Sequence, residues 1–137
     1  MNYWLIKSEP FKYSWEQFSK DKKCVWDGVR NYAARNNLKA MKKGDLALFY
    51  HSNEGMEIVG IAKVVKEFYQ DPTTEDVRWC VVDLKAHKKL KNPVPLSVIK
   101  QDTILQLMPL VKQSRLSVMP ITEDQFYRVM DLSGTNI

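Results

Sequence analysis

The stretch from residue 45 to residue 69 constrains the fold most. Residues 45–51 and 57–69 are both runs of β-prone residues, and only Ser52-Asn53-Glu54-Gly55 and one further residue separate them. Strands joined by so short a turn pair antiparallel, so a hairpin is predicted. After the polar loop 70–76, with Asp71-Pro72-Thr73-Thr74, residues 78–90 return as a third strand whose first half is rich in Val and aromatic residues. A three-stranded meander follows.

Around it the punctuation is clear. Residues 2–7 alternate and are aromatic-rich, which predicts a strand, and Ser8-Glu9-Pro10 ends it because Pro lacks a donor. Ser14 and Gln17 have capping-box spacing before a short helix to about residue 21. Asp27-Gly28 is a turn, and residues 31–42 carry Tyr32, Arg35, Leu38 and Met41 at helical spacing up to the break at Lys43-Gly44-Asp45. Asn92-Pro93-Val94-Pro95 is expected to forbid regular pairing and to lead into short helices near 97–101 and 103–107, which Pro109 interrupts. Residues 117–120 form a last strand, and Thr122 with Gln125 opens a final helix that Gly134 stops.

Helices inserted between strands of a largely antiparallel sheet define an α+β chain on a small, curved or closed sheet. The 137 residues, 45% hydrophobic and 27% charged, match a single domain over 1–137. No apolar run reaches the length of a membrane span, and residues 1–7 do not form a secretion signal, so an intracellular, soluble protein with no membrane partner is expected. With only His51, His87, Cys24 and Cys80 and no ligand spacing among them, no metal and no cofactor are expected. There is no G-x-G-x-x-G and no P-loop, which disfavours a Rossmann domain.

The net charge of +5 favours a polyanionic partner. Lys85, Lys88, Lys89 and Lys91, with His87, form the densest basic run, which is either a solvated strand edge or a phosphate track. Residues 24–36 combine an indole, a carboxylate, a turn glycine, two guanidiniums, a phenol and carboxamides, the materials for binding a flat, polar, anionic ligand such as a nucleotide. Trp26 is either a core residue or a stacking surface presented by Asp27-Gly28, whereas Trp4, Trp15 and Trp79 are assigned to the core. Asn31 is placed either to cap the second helix or to meet a base edge. Arg30 and Arg35 either grip phosphate or pair with Asp27, Asp45 or Glu9. Alternation puts Phe49 and His51 on the face opposite Tyr50, one side being core, and Arg115 is a candidate anion anchor. Ser8, Glu9, Cys24 and His51 stand isolated, with no nucleophile beside a base, so no catalytic residue is assigned.

Tyr3-Trp4-Leu5-Ile6-Lys7-Ser8-Glu9-Pro10, Trp26-Asp27-Gly28-Val29-Arg30-Asn31-Tyr32, Ala34-Arg35-Asn36, Phe49-Tyr50-His51-Ser52-Asn53 and Arg115-Leu116-Ser117 together resemble the EVE domain family over nearly the whole chain. The resemblance implies a PUA-like fold, a small curved β-barrel flanked by short helices, related to the YTH and ASCH domains. It implies a noncatalytic reader that takes a modified base of DNA or RNA into a pocket, with Ser8, Trp26, Asn31, His51, Ser52 and Arg115 around it and Arg30 and Arg35 for phosphate. Ala33 departs from the family, where Gln often follows the tyrosine. The alternative, drawn from the ASCH relationship, is a small hydrolase acting on a modified nucleoside. A basic adaptor that contacts only protein is the third reading.

Overall fold

The computed structural model describes residues 1–137 throughout. In chain order its elements are β1 (Tyr3–Ser8), α1 (Trp15–Asp21), β2 (Lys23–Val25), α2 (Tyr32–Ala40), β3 (Leu46–His51), β4 (Glu57–Gln70) and β5 (Cys80–Pro95). The helices α3 (Leu96–Gln101) and α4 (Pro109–Lys112) follow, separated by a 3₁₀ turn at Leu105–Leu107, and then β6 (Val118–Ile121) and α5 (Glu123–Ser133). Six strands form one sheet in the order β2-β5-β4-β3-β1-β6.

The meander forms as the turn chemistry requires, with β3 antiparallel to β4 and β4 to β5. Asn53 and Gly55 take the positive φ angles of 66° and 83° that reverse the chain between β3 and β4. In contrast, β1 lies parallel to β3, with Leu5 opposite Leu48, and antiparallel to β6. Leu46 through Tyr50 are all buried, so both faces of β3 are core, not one. Asp45 anchors the start of this strand by accepting hydrogen bonds from the Asn2 N–H (3.1 Å), the Trp4 indole (3.0 Å) and the Lys42 N–H (2.9 Å).

Local caps behave as their sequences dictate. The Ser14 hydroxyl accepts from Gln17 N–H, Asn31 accepts from Ala34 N–H, and Thr122 with Gln125 completes a reciprocal capping box. Gly134 closes α5 in the left-handed region.

Three expectations are corrected. Pro93 and Pro95 do not end β5: pairing loses its regularity in a register shift between Lys89 and Val94, but the strand resumes with Val94 opposite Ile58 and Pro95 opposite Glu57. Beyond Lys85 no strand pairs with its second side, because β2 pairs only with Asp83–Lys85, and an edge strand tolerates Pro. Pro109 does not interrupt a helix but opens α4, where its missing N–H costs nothing. The three-residue β2, too short for a sequence pattern, adds an edge strand after α1. Trp79 is buried as expected but stands apart from the main core cluster, with the guanidiniums of Arg30 and Arg78 each 5.7 Å from its ring.

Candidate functional site

Strands β2 and β6 end the sheet order on opposite sides and do not pair with each other. Even so, a single cleft is lined by Cys24 and Val25 of β2, by Lys7 and Ser8 of β1, and by Ser117 at the entry to β6. The sheet therefore curls until its two ends face across a gap. The cleft occupies that gap. Its volume is about 530 Å³, within the size range of small-ligand sites.

Residues 26–30 leave β2 and form one wall of the cleft. The Trp26 N–H still donates to Val82 O at 2.9 Å, and Gly28 then turns the chain at φ 76°, a conformation other residues rarely adopt. The Trp26 ring meets Tyr13 and Phe49 edge-on, at centroid distances of 6.5 and 5.8 Å; the residue is buried, 9% exposed overall, and lines the cleft. It is thus packed into the core and borders the cleft.

The wall is fastened from behind. The Asp71 carboxylate, fully buried, accepts from the Gly28 N–H (3.1 Å), the Arg30 guanidinium (2.9 Å), and the Thr73 N–H and hydroxyl (2.8 and 2.6 Å). Burial alone would raise its pKa, but the hydrogen bonds from Thr73, Arg30 and Gly28 outweigh it and hold the carboxyl at about 2. Arg30 finds its carboxylate here, not at Asp27, Asp45 or Glu9.

Opposite stands a polar wall. The Lys7 ammonium is half-buried, donates to Ser114 O at 2.8 Å, and has its pKa lowered by burial. Burial raises the phenol of Tyr13, which donates to Asp21 at 2.9 Å. The Cys24 thiol is pushed up to about 12, chiefly by burial, and is therefore not a thiolate nucleophile near neutral pH.

The remaining sequence-predicted residues are distributed around this cleft. Ser8 lines it while its hydroxyl donates to Tyr13 O at 2.5 Å. Ser52 sits behind Ser8, its N–H on Ser8 O at 2.9 Å. The His51 Nε2 accepts from the Trp15 N–H at 3.0 Å, and burial lowers its pKa although Glu57 opposes the shift, so this nitrogen is not a free base. Asn31 and Arg115 meet in an adjoining groove of about 340 Å³ with Lys112 and Ser114. Arg35 does not line the cleft; its guanidinium lies 5.0 Å over the Tyr32 ring and donates to Asn36 and to Arg78 O. Sequence reasoning missed Lys7, Tyr13, Ser117 and Asp71. Only Lys7 carries a local signal, as a cation ending an otherwise apolar strand.

A mixed six-stranded sheet curled onto one polar and aromatic cleft, with short helices packed around it, defines a PUA-like α+β domain. The same fold occurs in the YTH domain of the Zygosaccharomyces rouxii MRB1 protein, with a TM-score of 0.62 at 16% identity over 99% of this chain and 88% of that one. The EVE domain model matches residues 2–132, and the chain belongs to that family. Thymocyte nuclear protein 1 of Mus musculus is 38% identical over 98% of this chain and 74% of its own length. Among solved structures, a protein from Agrobacterium tumefaciens superposes with a TM-score of 0.96 at 46% identity, covering 98% of this chain and 94% of that one. Human THYN1 protein, crystallised in complex with 5-methylcytosine containing DNA, superposes with a TM-score of 0.90 at 33% identity over 100% of both chains. No helix is long and apolar enough to cross a membrane.

Proposed function

We propose that this protein is a noncatalytic nucleic-acid-binding module that recognises a modified base by taking it out of its stack into the cleft beside Trp26. The observation that carries the reading is the cleft itself, which combines an indole at its border with polar groups and a basic rim. The complex of human THYN1 with 5-methylcytosine containing DNA supports it, since that chain aligns over its full length.

Extraction of a base costs a few kcal/mol. Stacking on Trp26 returns about 1 to 3 kcal/mol, and hydrogen bonds to the base edge add to it. Ser8 and Trp26 are assigned to the base, with His51 and Ser52 holding the wall behind them through Trp15 and Ser8. Asn31 and Arg115, in the adjoining groove, are assigned to the flanking backbone, as is the Arg30 edge, while Arg35 meets phosphate from the far side of α2. An intracellular location goes with this reading.

Two features disfavour the hydrolase alternative: the His51 Nε2 is occupied, and the Cys24 thiol is held protonated. Titration with a 5-methylcytosine oligonucleotide and its unmodified counterpart tests the proposal. Tighter binding of the modified strand, with the preference lost in Trp26→Phe, is expected. Equal affinities that ignore the substitution would overturn it.

A further inference from the structure

Lys23, Lys85 and Lys63 stand directly opposite one another on three adjacent strands, β2, β5 and β4. Directly opposed residues share a face, so three lysines stand in a row across the sheet. None of the three forms an ion pair; the five ion pairs in the structure use other cations. Like charges opposite each other are unfavourable, and three in register without a carboxylate are a cost the fold itself does not offset.

Further cations flank the row. His87 follows Lys85 by two residues and feels Lys63, Lys85 and Lys88. One carboxylate, Asp83, stands beside the row opposite Lys66; it accepts from the Tyr69 hydroxyl at 2.5 Å, and the Lys66 ammonium lies 4.2 Å over the Tyr69 ring. The Lys88 ammonium is held by Asn136 O, which leaves its charge uncancelled.

The row is also continuous with the cleft. A depression of about 530 Å³ is lined by Lys23, Lys66 and Asp83 together with Cys24 and Val25, and the last two also line the base cleft. A strand whose base entered the cleft could therefore run over the β2 edge directly onto the lysines.

We propose that the lysine row Lys23–Lys85–Lys63 is a backbone track that receives successive phosphates of the nucleic-acid strand whose base occupies the cleft. The inference rests on the base-reading function and adds to it the direction in which the strand leaves. Its recognition is by charge alone, so it contributes affinity and salt dependence but no discrimination between bases.

The test is a fluorescence-anisotropy titration of labelled single-stranded oligonucleotides, with and without 5-methylcytosine, at several salt concentrations. The proteins are wild type, the triple variant Lys23→Gln, Lys63→Gln, Lys85→Gln, and a Lys100→Gln control on α3. Each lost phosphate contact lowers the slope of log K against log salt by about 0.7, so the triple variant should lose about 2 in slope. It should keep the wild-type ratio of modified to unmodified affinity and melt at or above the wild-type temperature. A slope equal to that of wild type and the control overturns the track while leaving the base reading intact. A shallower slope with no wild-type preference for the modified strand supports the track and sinks the base reading. Failure of the wild type to bind either strand overturns both.

Discussion

The Gly28 backbone N–H donates to the buried Asp71 carboxylate at 3.1 Å, across 43 residues of sequence. The cleft wall is thus shaped by a residue from the β4–β5 loop, which fixes the Gly28 turn just beyond Trp26.

Asp71→Asn leaves the Arg30 guanidinium without its counter-charge and takes an acceptor from Gly28 or Thr73. Removing a charged partner from buried hydrogen bonds costs about 1.5 to 3 kcal/mol each, so a destabilisation of at least that size is expected by urea unfolding. Weaker binding at the cleft should accompany it, since the wall loosens.

The same carboxyl sets an acid limit. Its folded value of about 2 lies below the ordinary 3.8, so its contribution is complete above pH 3.8 and is lost as pH falls through about 2. Linkage gives about 2 kcal/mol for this window. Stability curves of wild type and Asp71→Asn should converge there.

His51 gives a second pH signature of the same sign in a higher range. Burial lowers its pKa below the ordinary 6.5, so the unfolded chain takes up the proton first and stability declines as pH falls below 6.5. His51→Gln, which keeps an acceptor for the Trp15 N–H, should flatten the change in unfolding free energy between about pH 7 and about pH 5. An unaltered slope would show that another group governs it.

Gly60 admits no side chain. A Cβ there would lie 2.5 Å from Cζ3 of Trp15, and the indole is itself hemmed in by Phe18 and Phe49 at 5.5 and 5.4 Å. Gly60→Ala should destabilise the fold by about 1 to 3 kcal/mol, as overpacking does, with the shift visible in Trp fluorescence.

What the sequence discloses is local. Thr122 with Gln125, Ser14 with Gln17, and Asn31 declare helix starts because a cap and its target lie within one turn. The β3–β4 hairpin is legible because its turn residues stand between the strands they join. Trp26, Ser8 and Arg30 stand out by their motifs, and the fold places all three on one cleft. The remainder depends on closure at long range. The parallel pairing of β1 with β3, the three-residue β2, and the meeting of Lys7 with Ser117 arise only when the sheet curls, and no spacing encodes them. Asp71 reads as a turn residue in Asp71-Pro72-Thr73 and does serve that turn through Thr73, but its second allegiance, to Gly28 and Arg30, is tertiary. The prolines at 93 and 95 mislead for a related reason, since whether Pro breaks a strand depends on which edge is free.

The central claim is met most directly by intermolecular NMR contacts between the Trp26 ring protons and a 5-methylcytosine oligonucleotide labelled on the methyl carbon. The account predicts cross-peaks from the methyl group to Trp26, with the base unstacked from its neighbours. A methyl group that reports only its stacked neighbours, while Trp26 shifts remain those of the free protein, would contradict it.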